Sequence, residues 1–350
     1  MEGACSHGGI YSVDPRLVRV DCSSSVNPLG APKGALKVIE KQAARLAPMY
    51  PDPECRDLKK SLSRYAGVGK DTLAVGNGAA EIIYWFAQVF AKNRVVIPAP
   101  TFCEYELASQ KAGARADFVP LDVNFSIDPD SVIRSAKGAD AVFLCNPNNP
   151  TGRLVTDAIK KIIENVDSST MILLDECFIE LVDRPEKNTL VGMVRDFPNL
   201  VVLRSLTKSF GMAGLRLGYS ISSPVIAQKL QVMRAPWNVN ALAQAAGIAA
   251  LADKNHTKKA RALVIKERRF LQDRIKKAGF LPLQSDANYF LVQLEQDSTK
   301  FRDRLLKKTG VLVRDCSTFT GMGDRHVRIA VRTHRKNIAV AKALEAVAGG

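Results

Sequence analysis

S-L-T-K-S-F-G-M-A-G-L-R-L-G-Y, residues 205–219, directly follows an apolar run, Leu200-Val201-Val202-Leu203, that reads as a buried strand. Ser205 stands at the end of that strand, Lys208 follows three positions later among small and hydroxyl residues, and Arg216 comes eight after the lysine. A lysine can trap a carbonyl as a nucleophile if its surroundings suppress its charge. Taken alone, Lys208 reads as a solvated loop residue. The chain around it decides.

Outward from this stretch, short apolar runs alternate with helical spacing. Residues 94–97, 114–121, 141–144, 171–174, 200–203 and 215–219 read as strands, with helical patterns over 104–111, 128–136 and 157–166. Such alternation predicts an α/β fold with a mainly parallel sheet and right-handed crossovers. Ligands of such sheets bind beyond the carboxyl ends of the strands. The polar motifs at 98–102, 145–152, 175–178 and 205–208 all fall at that edge. Val75-Gly76-Asn77-Gly78-Ala79-Ala80-Glu81 is a glycine turn opening into a helix, with apolar residues at 79, 82, 83, 86, 87 and 90. Its free N–H groups and positive dipole end suit a phosphate.

After residue 219 a long helical region runs to about 278, broken near 236–238, and from 281 a separate α+β unit is expected. Its strands read as 288–292, 310–314 and 326–332, with a last helix over 335–347. The first 45 or so residues look irregular until a helical pattern at 32–46. The expected division is a large domain over 46–240 and a small one from 1–45 with 241–350.

Hydrophobic residues make up 46% and charged residues 24% of the 350, an ordinary soluble composition. The chain has no apolar run of about 18 residues and no basic-then-apolar start, so neither a membrane partner nor secretion is expected, and a cytoplasmic protein is. The seven cysteines are scattered without a C-x-x-C pair, which reads as reduced thiols, and with four unpaired histidines no metal site is expected. The net charge of +15 favours an anionic partner. Nucleic acid is not the expected one, because the basic residues form no single tract and the densest cluster, 258–269, has the spacing of a solvated helix face. A small phosphorylated substrate fits the charge as well.

The edge residues narrow the chemistry. Asp175 ends a wholly apolar strand and is costly there unless it meets a cation, for which a protonated ring nitrogen would serve. Asn149 could hydrogen-bond a phenolate oxygen, and Phe102 could stack on a ring face. Ser205 and Arg216, with the backbone of Gly78, Ala79 and Ala80, could hold a phosphate. The ligand implied is a planar, phosphorylated aldehyde with a cationic ring, an electron sink for a carbanion.

G-N-G-A-A-E, N-P-N-N-P-T-G, L-D-E and the lysine stretch together resemble the fold-type I pyridoxal-phosphate enzymes, the aspartate aminotransferase superfamily. The resemblance covers most of the chain. It implies a large α/β/α domain with a small α+β domain, and pyridoxal 5'-phosphate bound covalently by Lys208. It implies Asp175 on the pyridine nitrogen, and a homodimer in which Tyr50, in Y-P-D-P, reaches the neighbouring cofactor phosphate. Two branches share these motifs, histidinol-phosphate aminotransferases and threonine-phosphate decarboxylases of cobalamin biosynthesis. H-G-G at 7–9, S-S-x-x-N-P-L-G at 23–30 and P-T-F-x-E-Y at 100–105 are similar to the decarboxylases. So is D-E-C-F at 175–178, where aminotransferases typically read D-E-A-Y, so that Phe178 removes a hydroxyl from the cofactor's phenolate oxygen. R-I-A-V-R-T, 328–333, points the same way. The function so implied is decarboxylation of L-threonine O-3-phosphate, with histidinol-phosphate amino transfer as the alternative. By that resemblance Arg328 contacts the substrate carboxylate. Arg332, with His7 and Asn27, holds the substrate phosphate or turns the carboxylate out of plane.

Overall fold

Each apolar run of the first two thirds of the chain finds a partner in one sheet. The computed structural model describes residues 7–348. The strands are β1 Val20–Asp21, β2 Leu73–Gly76, β3 Arg94–Ala99, β4 Arg115–Pro120, β5 Ala141–Cys145, β6 Met171–Asp175 and β7 Leu200–Ser205. They continue with β8 Gly218–Ile221, β9 Leu281–Pro282, β10 Tyr289–Gln293, β11 Val311–Leu312, β12 Arg314–Asp315 and β13 His326–Ala330. The large sheet has seven strands in the order β2-β8-β7-β6-β5-β3-β4. β4, β3, β5, β6 and β7 run parallel; β8 is antiparallel to both its neighbours, β7 and β2, so β2 points the same way as the other five. The chain is an α/β protein of the expected class.

β5 is buried at every residue and β6 at every residue after Met171. Their side chains alternate between two cores: Val142, Leu144, Ile172 and Leu174 enter one, Ala141, Phe143 and Leu173 the other. Helices on both faces make this possible, and each such side chain contributes about 1.5–3 kcal/mol by leaving water. Asp175 breaks the pattern. It is the last residue of β6, in register with Cys145 and Leu203, so the sheet delivers it to the carboxyl edge.

β2 was not expected as a strand. Only Leu73-Ala74-Val75 precede its glycine, too short a run to declare itself, and its pairing with β8 is supplied by the tertiary fold. β8 begins at Gly218 rather than at 215, because residues 213–215 form a 3-10 turn and Arg216 takes a left-handed conformation, φ 55°. A Cβ at Gly218 would stand 2.4 Å from the Ala79 nitrogen, so only glycine lets the strand pass the phosphate-site helix. The long helical region resolves into Pro224–Val232, Ala241–Ala252 and Lys254–Lys277.

The last third folds on a four-stranded antiparallel sheet, β12-β13-β10-β9, with a core that includes Leu271, Phe290, Phe301, Val327 and Ile329. The start of the chain joins it. β1 pairs in parallel with β11, Val20 opposite Val311, and Cys22 lies in the same core. The helix Lys33–Leu46 packs on Ala241–Ala252, and Ala35, Ala243, Ala246 and Ala250 share a core with the large sheet.

The expectation of reduced thiols throughout is corrected at Cys103, which is disulfide-bonded; Cys22, Cys55, Cys145, Cys177 and Cys316 are free and buried. Separation along a sequence does not report which sulfurs the fold brings together. Among the described residues no helix is long and apolar enough to cross a membrane, and no His, Cys, Asp and Glu group has metal-site geometry.

Candidate active site

A cavity of about 380 Å³ opens where β5, β6 and β7 end, between the large sheet and the β12–β13 hairpin. Its sheet-side wall carries Ala79, Ala80, Phe102, Asn149, Asp175, Ser205, Lys208 and Arg216. These residues were singled out from separate motifs, and the sheet edge brings them together.

At one end the helix Ala79–Phe90 begins beneath Arg216. Gly78 has φ 85°, and a Cβ there would come within 2.6 Å of the Arg216 guanidinium, so the turn needs glycine twice over. Helix start, guanidinium and Ser205 together make an anion cradle. Beside it, Thr207 has a buried hydroxyl with no hydrogen-bond partner. At the other end Asp175 is 6% exposed. It accepts from Tyr105 Oη at 2.8 Å and from the Cys177 N–H at 2.8 Å. Both donors orient the carboxylate without supplying a full positive charge. Burial beside it pushes the Tyr105 hydroxyl and the Cys177 thiol well up, so both stay protonated.

Between these ends stands Lys208, whose Nζ is 5.7 Å from the centre of the Phe178 ring. Burial pushes its ammonium down to about 8, with Arg328 and Arg216 adding repulsion and Cys177 and Asp175 opposing. The neutral, nucleophilic amine is therefore accessible near neutral pH. Phe178 is 6% exposed and meets Tyr289 edge-on, ring centres 4.9 Å apart.

The opposite wall is built from both chain ends. Arg314 of β12 and Arg328 of β13 are direct cross-strand neighbours, and both line the cavity. Like charges so placed repel. Burial, then Arg328, brings Arg314 down to about 10, and burial lowers Arg328. Arg328 donates to Asn149 Oδ1 and, at 2.8 Å, to the Ser23 carbonyl, while its Nε is buried without a partner. A pair of guanidiniums held together against repulsion fits a ligand that brings anionic groups. His7 reaches the rim, its Nε2 2.7 Å from Glu104 Oε1, and Tyr84 donates to the second oxygen of Glu104 at 2.7 Å. The His7 contact is the largest cause holding Glu104 below the usual carboxylate range.

Three expected residues stand elsewhere. Tyr50 is 79% exposed and stacks on Trp237, ring centres 4.5 Å apart. Asn27 is 1% exposed and outside the cavity wall. Arg332 also lies outside that wall, donating to the carbonyls of Asp21 at 2.6 Å and Ser24 at 2.8 Å. The sequence reading missed Arg314, Glu104, Tyr105 and Thr207. Glu104 and Tyr105 lay inside the quoted P-T-F-x-E-Y motif. Arg314 carried a usable signal, a charge ending the apolar run Val311-Leu312-Val313.

The residues present fit pyridoxal 5'-phosphate. The cradle matches a phosphate, Asp175 a ring nitrogen, and Lys208 an aldehyde. The sequence pattern of the aminotransferase class I and II family matches residues 20–347. A protein of Caldanaerobacter subterraneus subsp. tengcongensis, named provisionally as a threonine-phosphate decarboxylase, is 35% identical over 97% of this chain and 92% of its own length. Histidinol-phosphate aminotransferase of Symbiobacterium thermophilum is 34% identical over 94% of this chain and 91% of its own. Among solved structures, histidinol-phosphate aminotransferase from Clostridium acetobutylicum superposes with a TM-score of 0.88 at 34% identity, covering 94% of this chain and 99% of that one. L-threonine-O-3-phosphate decarboxylase from Porphyromonas gingivalis gives 0.83 at 26% identity, covering 95% and 100%. The cavity and these likenesses agree: the chain belongs to the aminotransferase class I and II family, whose cofactor is pyridoxal 5'-phosphate.

Proposed function

We propose that this chain decarboxylates L-threonine O-3-phosphate, releasing CO₂ and adding a proton at Cα to give 1-amino-2-propanol O-2-phosphate, a precursor for cobalamin biosynthesis. The observation that carries the reading is Phe178, which faces Lys208 in the cavity wall and offers no hydroxyl to the cofactor's phenolate oxygen. Bound pyridoxal 5'-phosphate supplies an electron-poor ring that accepts the electron pair of the bond broken at Cα. The groups that hold the substrate carboxylate would select which bond at Cα breaks, and with it the reaction.

In this reading Asp175 would keep the ring nitrogen protonated, Asn149 would hydrogen-bond the phenolate oxygen, and Phe102 would stack on the ring. Gly78, Ala79, Ala80, Ser205 and Arg216 hold the cofactor phosphate. Arg328 and Arg314 receive the substrate's two anionic groups, with His7 at the rim beside them. Lys208 Nζ, displaced by the substrate's amino group and protonated by the proton that group gives up, would deliver to Cα the proton that takes the place of CO₂. Arg332 acts from behind the wall, through the carbonyls it holds. The working unit is a homodimer, in which exposed Tyr50 reaches the partner's cofactor phosphate.

A second reading, histidinol-phosphate amino transfer, is favoured by the 34% identical relative and by the structure that superposes at 0.88. The two separate in one assay. Holoenzyme given L-threonine O-3-phosphate should release CO₂ without 2-oxoglutarate. Glutamate formed from histidinol phosphate and 2-oxoglutarate, with no CO₂ from threonine phosphate, overturns the proposal.

A further inference from the structure

Lys208 sits in a helix of four residues, Leu206–Ser209. So short a helix leaves its last carbonyls without donors of its own. Two of them are met from the far end of the chain. The Asn27 N–H donates to the Lys208 carbonyl at 2.9 Å, and Asn27 Nδ2 donates to the Ser209 carbonyl at 2.7 Å. Asn27 Oδ1 accepts from the Leu29 N–H at 2.8 Å, and the Asn27 carbonyl accepts from the Gly30 N–H at 3.0 Å. Every polar group of the residue is used, and at 1% exposure water has no route to replace them.

The contact extends to the next residues. Gly211 has φ 64°, and a Cβ on it would stand 2.5 Å from the Gly30 carbonyl carbon. The segment carrying Asn27 and Gly30 is itself held from the substrate side, by Arg328 on the Ser23 carbonyl and Arg332 on those of Asp21 and Ser24. One strap therefore touches the lysine's main chain at one end and, at the other, Arg328 of the opposite wall and Arg332 behind it.

We propose that Asn27 is a positioning residue: it caps the lysine's helix in trans and fixes the direction from which Lys208 enters the cavity, rather than touching substrate. A lysine amine on a long flexible stem is placed only as well as its Cα is held. The inference rests on Lys208 as the residue that carries the cofactor, and it stands under either reaction.

The test reads holoenzyme without substrate. Asn27→Asp retains size and the backbone N–H but turns a carboxylate oxygen toward the Ser209 carbonyl. The pH midpoint of the bound cofactor's absorbance change should shift by about 0.5 unit or more. Turnover should fall, while KM for L-threonine O-3-phosphate (or for histidinol phosphate, if that is the substrate) stays within about twofold. Gly211→Ala presses on the same contact from the other side, without touching Asn27, and should move the midpoint in the same direction. Lys208→Ala is the control for the attachment itself, and loss of the absorbance band there is expected. A KM raised roughly tenfold or more with an unchanged resting spectrum makes Asn27 a substrate contact and overturns the proposal. Unchanged spectra in both variants overturn it too.

Discussion

The two walls of the cavity are made differently. The cofactor wall is assembled from ends of adjacent strands and the turns that follow them: Asn149 after β5, Asp175 at the end of β6, Ser205 and Lys208 after β7. Each sits within a few residues of an apolar run that fixes its place. The substrate wall is assembled from residues hundreds of positions apart, His7 and Ser23 from one chain end, Arg314 and Arg328 from the other. The first wall offers one amine, one carboxylate and one phosphate cradle. The second offers two guanidiniums, Arg328 held by the Asn149 amide and the Ser23 carbonyl and Arg314 by the Thr318 hydroxyl. Common chemistry is thus written locally, and the choice of reaction is written in tertiary contacts.

The strongest way to break this division is Lys208→Ala. Turnover should fall by about 10³-fold or more, with loss of the absorbance of covalently held cofactor. A variant within tenfold of the parent would place the chemistry somewhere other than the sheet edge.

Arg328→Ala comes next and tests the other wall. Removing one partner from a buried, hydrogen-bonded charge costs about 2–5 kcal/mol, so kcat/KM should drop roughly 30-fold to a few thousandfold. The resting cofactor spectrum should still show a bound, covalently attached cofactor. If the cofactor is lost instead, the two walls are not separable. Arg328→Lys should recover little, because one ammonium cannot serve both Asn149 and the Ser23 carbonyl as the guanidinium fork does.

The same division explains what was legible in the sequence. Asp175, Asn149 and Lys208 declared themselves because polar residues at or just beyond the end of an apolar strand are a local anomaly, and the Gly78–Ala80 turn because it opens into a helical pattern. β2 was hidden because three apolar residues beside a glycine do not distinguish a strand from a turn, and its partner β8 lies about 145 residues away. Arg314 was hidden because its meaning depends on standing opposite Arg328, a register set by β12 and β13. Arg332 and Asn27 were recognised as important by position in a motif. Their hydrogen bonds to Asp21, Ser24, Lys208 and Ser209 are long-range contacts that no spacing predicts.

A subtler effect links the walls through charge. Arg328 is the largest cause after burial for the low value of Lys208, about 8. The neutral amine captures the cofactor aldehyde, so loading of cofactor-free protein should speed up about tenfold per pH unit below 8 and level off above it. The sign follows from deprotonation: as pH rises through about 8, the ammonium gives way to the amine. Arg328→Gln removes one repelling charge and should move that break upward. A break that stays near 8 would show that burial alone sets the lysine, and that the substrate wall does not tune it.

The smallest expected effect belongs to Phe178→Tyr, and it is the most informative about where reaction choice resides. Phe178 belongs to the cofactor wall by position, three residues beyond Asp175, and its ring packs on Tyr289. Adding a hydroxyl there should change decarboxylation only a few-fold, about 1 kcal/mol, the scale of one neutral hydrogen bond. If Arg314 and Arg328 choose which bond stands perpendicular to the ring, the variant gains no glutamate-forming activity with 2-oxoglutarate. If it does gain that activity while CO₂ release falls, a single hydroxyl at the strand edge has selected the reaction. The cofactor wall would then hold both the chemistry and its specificity, and the long-range wall would serve only to bind.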